Sequence, residues 1–110
     1  KRKALLACIF AHLKQGHAML LSVSGASEHV NESYRKIYEQ DEALTGEYRS
    51  YYSRGPEGQV LYITHHFTEK EIREMCEEAG FRNVEIRAEE ESSSRRPEEK
   101  AIFYYVIAYR

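Results

Sequence analysis

The segment 18–23, Ala-Met-Leu-Leu-Ser-Val, limits the possible folds strongly, because it is largely apolar and shows no alternation of period two. A strand with one solvent-facing side alternates polar and apolar residues, whereas a strand buried on both faces of a parallel sheet does not. We therefore expect a strand buried on both faces, which ends at Ser24-Gly25. Because parallel strands need crossover connections, usually helices, this run predicts an α/β fold.

Helices are predicted on both sides of this strand. Residues 4–13 are apolar almost all round and are followed by Lys14-Gln15-Gly16, a cationic end with a glycine suited to the left-handed position after a helix. We expect this helix to be covered on most sides. Residues 28–44 carry apolar side chains at helical spacing, which predicts a second helix with one packed face.

The clearest local signal lies at Thr68. Thr68 as the N-cap and Glu71 three residues later form a capping box, which satisfies two backbone N–H groups at a helix start. The helix that begins here is expected to end at Gly80, with Phe81 folding back onto its last turn.

The last third of the chain predicts a hairpin. Residues 83–88 alternate polar and apolar, as in a strand with one wet face, whereas residues 101–108 are continuously apolar. The acidic-to-basic segment 89–99 between them is expected to be a solvated hairpin loop. A right-handed crossover makes the first of these strands parallel to 18–23, and the return strand can lie between the two. The other edge of strand 18–23 then stays open and is expected to pair with something else.

Composition excludes several classes of function. The chain has 110 residues, which fits one small domain. Its formal net charge of −2 lacks the positive electrostatic field that a dedicated binder of nucleic acid or anionic membranes normally shows. A nucleic-acid partner stays possible but is not indicated by charge. The apolar runs are far shorter than the ~20 residues needed to cross a bilayer, so no membrane association is predicted. Cys8 and Cys76 lie on apolar helical stripes and are expected to be buried thiols in a reducing, cytoplasmic setting.

Several segments resemble the carboxyl-terminal half of a class I S-adenosylmethionine (SAM)-dependent methyltransferase. Residues 5–22 are similar to the family's helix, L-K-P-G-G turn and fifth strand, although Gln15 and His17 replace the proline and the second glycine. Residues 66–84 are similar to its F-T-x-x-E-L … A-G-F … V signature. The final run, 101–109, resembles the antiparallel seventh strand, which this family inserts between the fifth and the sixth. Residues 26–59 then correspond to the variable insertion in which such enzymes place substrate-recognition elements.

The resemblance implies a single partial domain, 1–110, with a partial Rossmann-like methyltransferase sheet and flanking helices. The family binds SAM through a glycine-rich loop and acidic residues, and no two glycines of this chain form G-x-G. We therefore expect a chain that shapes the acceptor pocket but neither binds SAM nor turns over alone. Its partner would be the missing amino-terminal half, which completes the sheet by strand pairing. The alternative is a non-catalytic interaction module that homodimerises through its open strand edge. The methyl acceptor is not specified.

Candidate substrate-binding residues lie where strands end. Ligands of open α/β sheets bind at the carboxyl ends of the strands, which points to Ser24 and, by the family's geometry, to His65 and His66 before the capped helix. A histidine here could act as a base or orient a methyl acceptor, because its ordinary pKa lies near neutral pH. The alternative is that the two histidines only flank a helix start, one exposed and one packed.

Two tyrosines complete the candidate substrate-binding set. Tyr51 and Tyr52 are difficult to place in a core, and their rings could line a pocket. Arg49 and Arg54 beside them would suit an acidic or nucleic-acid acceptor.

Other conspicuous residues favour structural roles. Tyr34 and Tyr38 are expected to form the packed face of the helix 28–44. The five histidines and two cysteines contain no H-x-x-x-H, H-E-x-x-H or C-x-x-C spacing, so no metal site is predicted.

Overall fold

The computed structural model describes residues 1–92 and 99–110. In chain order the elements are α1 (Arg2–His12), β1 (Ala18–Gly25), α2 (Glu32–Thr45), β2 (Ser50–Arg54), β3 (Val60–His65), α3 (Glu69–Ala79), β4 (Arg82–Ser92) and β5 (Lys100–Tyr109). Strands β1, β5 and β4 form a three-stranded sheet in that order, and β2 pairs with β3 in a separate hairpin. The chain is a mixed α/β fold, as predicted.

The order of the larger sheet confirms that the last strand lies between the other two. The Arg110 N–H donates to the His17 carbonyl over 3.0 Å, and the Gly16 N–H donates to the Arg110 carbonyl over 3.2 Å. The end of β5 therefore lies beside the start of β1, so these strands run antiparallel. The connection from β4 to β5 is too short for a parallel crossover, so this pair is antiparallel as well.

The chain divides into two compact units. The first unit comprises Lys1–Val23, Thr68–Glu89 and Phe103–Arg110, and the second comprises Ser24–Phe67 and Glu90–Ile102. The apolar core of the first unit contains Leu6, Met19, Ile72, Cys76, Phe81, Val84, Val106 and Ala108. That of the second contains Ala26, Tyr34, Tyr38, Ala101 and Ile102.

Helix α3 begins and ends as its sequence predicts. The Thr68 hydroxyl accepts the Glu71 N–H, and the Glu71 carboxylate accepts the Thr68 N–H, which completes the capping box. Gly80 ends the helix with a φ of 109°, and the Phe81 N–H returns to the Cys76 carbonyl. A Cβ atom at residue 80 would lie 2.8 Å from the Phe10 ring, so both backbone angle and space require glycine here.

Helix α1 is much less covered than predicted. Leu6 is buried, but Leu5 is 61% exposed and Cys8 is exposed as well. The predictions of a helix covered on most sides and of a buried Cys8 are therefore wrong for this chain, although Cys76 is buried as expected. The reason is that α1 packs along one side against α3, while much of its remaining apolar surface meets solvent.

Strand β1 is covered on one face. Met19 is buried, whereas the next residue, Leu20, is 77% exposed, so the prediction of burial on both faces is wrong for this chain. The uncovered face bears a groove of about 590 Å³. The groove is lined by Leu20, Leu21, Ser22, Glu85, Ile86, Arg87, Tyr105, Val106 and Ile107. The strand order places β1 at an edge of the sheet, as predicted.

Two predicted boundaries need correction. Helix α2 begins at Glu32 and not at residue 28, because Asn31 is its N-cap and accepts the Ser33 N–H. The predicted loop 89–99 begins later than expected, because β4 continues through Ser92. Residues 93–98 of that loop lie outside the described residues. No helix in the described ranges is long and apolar enough to cross a membrane.

Removal of the Thr68 cap should destabilise the chain measurably. We expect Thr68→Ala to lower the free energy of unfolding by about 1 kcal/mol, because an N–H of the first turn loses its acceptor. The change would be measured by urea unfolding followed by circular dichroism. Lys70→Ala in the same first turn is the control and should stay within about 0.5 kcal/mol, since it removes an exposed group. Equal effects of the two substitutions would contradict the role of the cap.

Candidate functional site

The second unit contains a buried chain of hydrogen-bonded side chains centred on His66. The Nδ1 of His66 lies 2.5 Å from the Tyr38 hydroxyl oxygen, and its Nε2 lies 3.1 Å from the Tyr51 hydroxyl oxygen. The rings of Tyr34 and Tyr51 each pack against the imidazole with centroids 5.2 Å away. We refer to Tyr38, His66 and Tyr51 as the Tyr-His-Tyr chain.

Three separate segments supply these side chains. Tyr38 comes from α2, Tyr51 comes from β2, and His66 directly follows β3. Tyr34 and Tyr38 are buried, which confirms their prediction as the packed face of a helix. The antiparallel register pairs Tyr51 with Thr64 on β3, so the hairpin carries Tyr51 back toward the residue that follows β3.

The hydrogen-bond pattern assigns the proton on His66. The Tyr38 oxygen already accepts the Ser27 N–H over 3.3 Å, and Tyr38 is fully buried. Its own hydroxyl hydrogen needs an acceptor, since a buried unsatisfied donor is costly, and the Nδ1 of His66 is in place to accept it. The proton of the neutral imidazole then sits on Nε2 and is donated to the Tyr51 oxygen. Hydrogen bonds therefore run in one direction, from the Ser27 N–H to Tyr51.

Burial keeps the side chains of the Tyr-His-Tyr chain uncharged at neutral pH. It lowers the pKa of His66 from 6.5 to about 4, and neighbouring His65 acts in the same direction. Burial also raises the pKa of the Tyr38 hydroxyl. A histidine with so low a pKa is a weak proton acceptor at pH 7, so the arrangement suits orientation of a hydroxyl group better than removal of a proton.

A strained residue supports the backbone of His66. Arg49 has a φ of 70°, in the left-handed region that residues other than glycine rarely adopt. In this conformation its carbonyl accepts the His66 N–H over 2.9 Å, and its guanidinium lies 2.8 Å from the Glu28 carboxylate. Such strain persists where surrounding contacts hold it, which is frequent at functional sites.

An ion pair with a buried carboxylate fixes β2 against α2. Asp41 on α2 is fully buried and accepts from Arg54 at 3.0 and 3.2 Å and from the Tyr52 N–H at 3.0 Å. Burial by itself raises the pKa of Asp41, but these donors outweigh it and lower the pKa below its usual range. Asp41 follows Tyr38 by three residues and so lies on the same helix face, a signal in the sequence that marked it for burial.

The structure brings His66 and Tyr51 together, while the other predicted site residues have different neighbours. Tyr52 gives its backbone N–H to Asp41. The Ser24 carbonyl accepts a hydrogen bond from the Phe67 N–H over 3.0 Å.

His65 bonds to side chains outside the Tyr-His-Tyr chain. Its Nδ1 lies 2.7 Å from the Ser50 hydroxyl and 3.2 Å from the Glu47 carboxylate. Its side chain is 6% exposed, and His66 is buried too. The alternative that one histidine is exposed is therefore wrong.

Arg49 and Arg54 each form an ion pair within the chain. Arg49 pairs with Glu28 and Arg54 pairs with Asp41, so each guanidinium faces a carboxylate of this chain. The suggestion that these arginines bind an acidic or nucleic-acid acceptor overlooked both carboxylates, which lie 21 and 13 residues away in sequence.

The chain is similar in fold to a solved methyltransferase structure. No protein-family model matches the chain, and no curated protein shows significant similarity to it. Among solved structures, the chain is similar to a SAM-dependent methyltransferase from Methanosarcina mazei, with a TM-score of 0.89 and 31% sequence identity. The match covers 99% of this chain and 50% of that protein. The fold is part of a methyltransferase fold. The chain thus spans about half the length of the methyltransferase it matches.

The low pKa of His66 should make stability depend on pH. The pKa of His66 in the folded chain, about 4, lies below the ordinary histidine pKa of 6.5, so the unfolded chain binds this proton more tightly. Stability contributed by neutral His66 is complete above pH 6.5 and is lost as the pH falls to about 4, in total ~3 kcal/mol. Urea unfolding at several pH values should show this decline in the wild type and a much smaller one in His66→Phe.

The matched control is His29→Gln, which changes an exposed histidine and should keep the wild-type decline. An undiminished decline in His66→Phe would show that another group is responsible.

Proposed function

We propose that this chain is the carboxyl-terminal half of a SAM-dependent methyltransferase domain and lines the pocket of the methyl acceptor. The observation that carries this is the likeness to the Methanosarcina mazei methyltransferase, which extends over 99% of this chain and half of that protein. The likeness covers nearly all of this chain but only half of that protein, which fits a partial domain.

The uncovered surfaces of the first unit support the same conclusion. Leu20 on β1 and Leu5 on α1 expose apolar side chains that a complete domain of this type would cover. β1 also lies at the edge of its sheet, with apolar residues along its length. A second half that adds a strand beside β1 would satisfy this edge and extend the sheet.

The residues of this chain do not fit SAM by themselves. No two glycines form G-x-G, and the first two backbone N–H groups of the loop after β1 are bonded within the chain. The Ala26 N–H donates to the Phe67 carbonyl, and the Ser27 N–H donates to Tyr38. We therefore assign the SAM site to the amino-terminal half and expect this chain alone to be inactive.

The Tyr-His-Tyr chain is our candidate for the acceptor side of the pocket. It lies in the second unit, which follows the carboxyl end of β1, where open α/β sheets bind ligands. His66 directs its Nε2–H at the Tyr51 oxygen and thereby fixes the orientation of the Tyr51 hydroxyl. Ser24, Tyr52 and His65 contact other groups of the chain, and their part in binding the acceptor stays a prediction.

A second candidate is a non-catalytic module that homodimerises through β1. The open edge of β1 is the observation that favours it, since an apolar strand edge is a template for pairing with a like strand. The two candidates differ in SAM binding, because a homodimer of this chain adds no second glycine-rich loop.

A chimaera tests the methyltransferase proposal directly. The amino-terminal half of the Methanosarcina mazei protein would be fused ahead of this chain, and SAM would be titrated calorimetrically into the chimaera, into this chain and into the amino-terminal half alone. We expect saturable binding by the chimaera, weaker or no binding by the isolated half, and none by this chain. Tyr51→Phe in the chimaera should leave the SAM affinity unchanged, because Tyr51 is assigned to the acceptor.

Two results would contradict this assignment. SAM binding by this chain alone would show that it holds a cofactor site of a different kind. A folded chimaera that fails to bind SAM, together with a dimer of this chain that Leu20→Lys dissociates, would favour the homodimeric module.

A further inference from the structure

Glu28 and Arg49 form a two-point ion pair, although they lie 21 residues apart in sequence. The Arg49 Nη2 lies 2.8 Å from one carboxylate oxygen of Glu28, and the Arg49 Nε donates to the other over 3.2 Å. Two parallel hydrogen bonds fix the direction of a guanidinium, which a single contact does not. The side chains are 30% and 19% exposed, so solvent screens this pair less than a pair on the open surface. The ion pair therefore holds the Arg49 side chain in one geometry.

The backbone of Arg49 is strained, and its side chain makes the contacts that can offset the strain. Its φ of 70° lies in the left-handed region, which costs free energy in a residue with a Cβ atom. Gly46 adopts a similar φ of 78° without that cost. Asparagine and aspartate tolerate this region because their short side chains bond to nearby backbone, and arginine has no such short side chain. The Arg49 guanidinium instead bonds to Glu28 and lies over the Tyr48 ring, 5.0 Å from its centroid.

The conformation of residue 49 affects both partners of the bond between Tyr51 and His66. The Arg49 carbonyl accepts the His66 N–H over 2.9 Å and so fixes the backbone that carries the imidazole. Residue 49 also immediately precedes β2, so its backbone angles direct the strand that carries Tyr51. The bond of 3.1 Å between the Tyr51 oxygen and the His66 Nε2 requires both positions at once. A change of φ at residue 49 would therefore move the two partners relative to each other.

We propose that Glu28 and Arg49 are positioning residues: their ion pair holds residue 49 in the left-handed conformation and thereby aligns Tyr51 with His66. Glu28 lies in the loop after the carboxyl end of β1, where open α/β sheets bind ligands, so the Tyr51 hydroxyl is aligned from that loop. The use of this alignment for a methyl acceptor rests on the proposed function, whereas the alignment itself is a property of this chain alone.

Hydrogen exchange followed by NMR tests the alignment at two protons. One is the His66 backbone N–H, which bonds to the Arg49 carbonyl, and the other is the His66 Nε2–H, which bonds to Tyr51. In Arg49→Ala both protons should exchange at least about 10-fold faster, because the strain remains while the ion pair that offsets it is lost. Glu28→Gln should act in the same direction, since it removes the carboxylate charge and keeps the shape of the side chain.

Arg49→Gly separates the strain from the other effects of losing the arginine. It removes the same ion pair, but glycine adopts the left-handed conformation without strain, so both protons should exchange within about 3-fold of the wild type. Glu28→Gln added to Arg49→Gly should then have no further effect, because residues that act as a unit are not additive. A general contribution of the ion pair to stability would instead make Arg49→Gly as harmful as Arg49→Ala.

Asn83→Ala is the matched control. Among the described residues Asn83 shares with Arg49 a positive φ without being glycine, and it belongs to the first unit. Its loss should leave the exchange of both His66 protons unchanged. Circular dichroism would verify that every variant is folded.

Three outcomes would overturn the proposal: wild-type exchange in both Arg49→Ala and Glu28→Gln, exchange in Arg49→Gly as fast as in Arg49→Ala, or an effect of Glu28→Gln that persists in the Arg49→Gly chain. These measurements use this chain without SAM, so their failure would leave the methyltransferase proposal untouched. A chimaera that fails to bind SAM would likewise leave the alignment by Glu28 and Arg49 untouched.

Discussion

The hydroxyl group of Tyr38 is the contact on which the second unit depends. It accepts the Ser27 N–H from the loop after β1 and bonds to His66 at the end of the hairpin, while its ring belongs to α2. Three segments distant in sequence are thereby joined at one oxygen atom. Because Tyr38 and His66 are buried, each hydrogen bond also prevents the cost of an unsatisfied polar group. Loss of one partner would therefore disturb all three segments together.

Charges in the same unit are arranged internally. The Arg54–Asp41 pair fastens β2 to α2, and the Arg49–Glu28 pair fastens the segment before β2 to the loop after β1. The Asp41 carboxylate is fully buried, so loss of Arg54 would leave its charge without compensation. The unit thus has a rigid polar framework, and the hydroxyl of Tyr51 belongs to a hydrogen-bond chain whose direction that framework sets. Rigid support of this kind is what a binding group needs in order to hold one geometry.

The parts of the fold that were predicted correctly depend on short-range chemistry. The capping box at Thr68 and the left-handed Gly16 and Gly80 are set by a few neighbouring residues, and the strand order follows from handedness and connection length. The burial of α1 and β1 was wrong for a different reason. Their apolar side chains suit burial under further secondary structure, which the described residues of this chain do not supply. A prediction that every apolar residue is buried therefore overestimates the burial of α1 and β1.

The candidate site was predicted only in part, because hydrogen-bond partners depend on distant segments. His66 and Tyr51 could be selected as residue types at suitable places, whereas their connection through Tyr38 required the packing of α2 against the hairpin. The start of α2 was predicted too early for a local reason. Asn31 caps the helix, but the third helical position carries no glutamate or glutamine, so the sequence lacks the capping box that would mark this start.

The uncovered leucines at positions 5 and 20 also make the stability of this chain a thermodynamic sensor of its surroundings. Any molecule that covers those side chains in the folded state and not in the unfolded state raises the melting temperature by mass action, in proportion to the logarithm of its free concentration. A thermal melt repeated across a concentration series would then report an affinity without a label, a substrate or knowledge of the reaction.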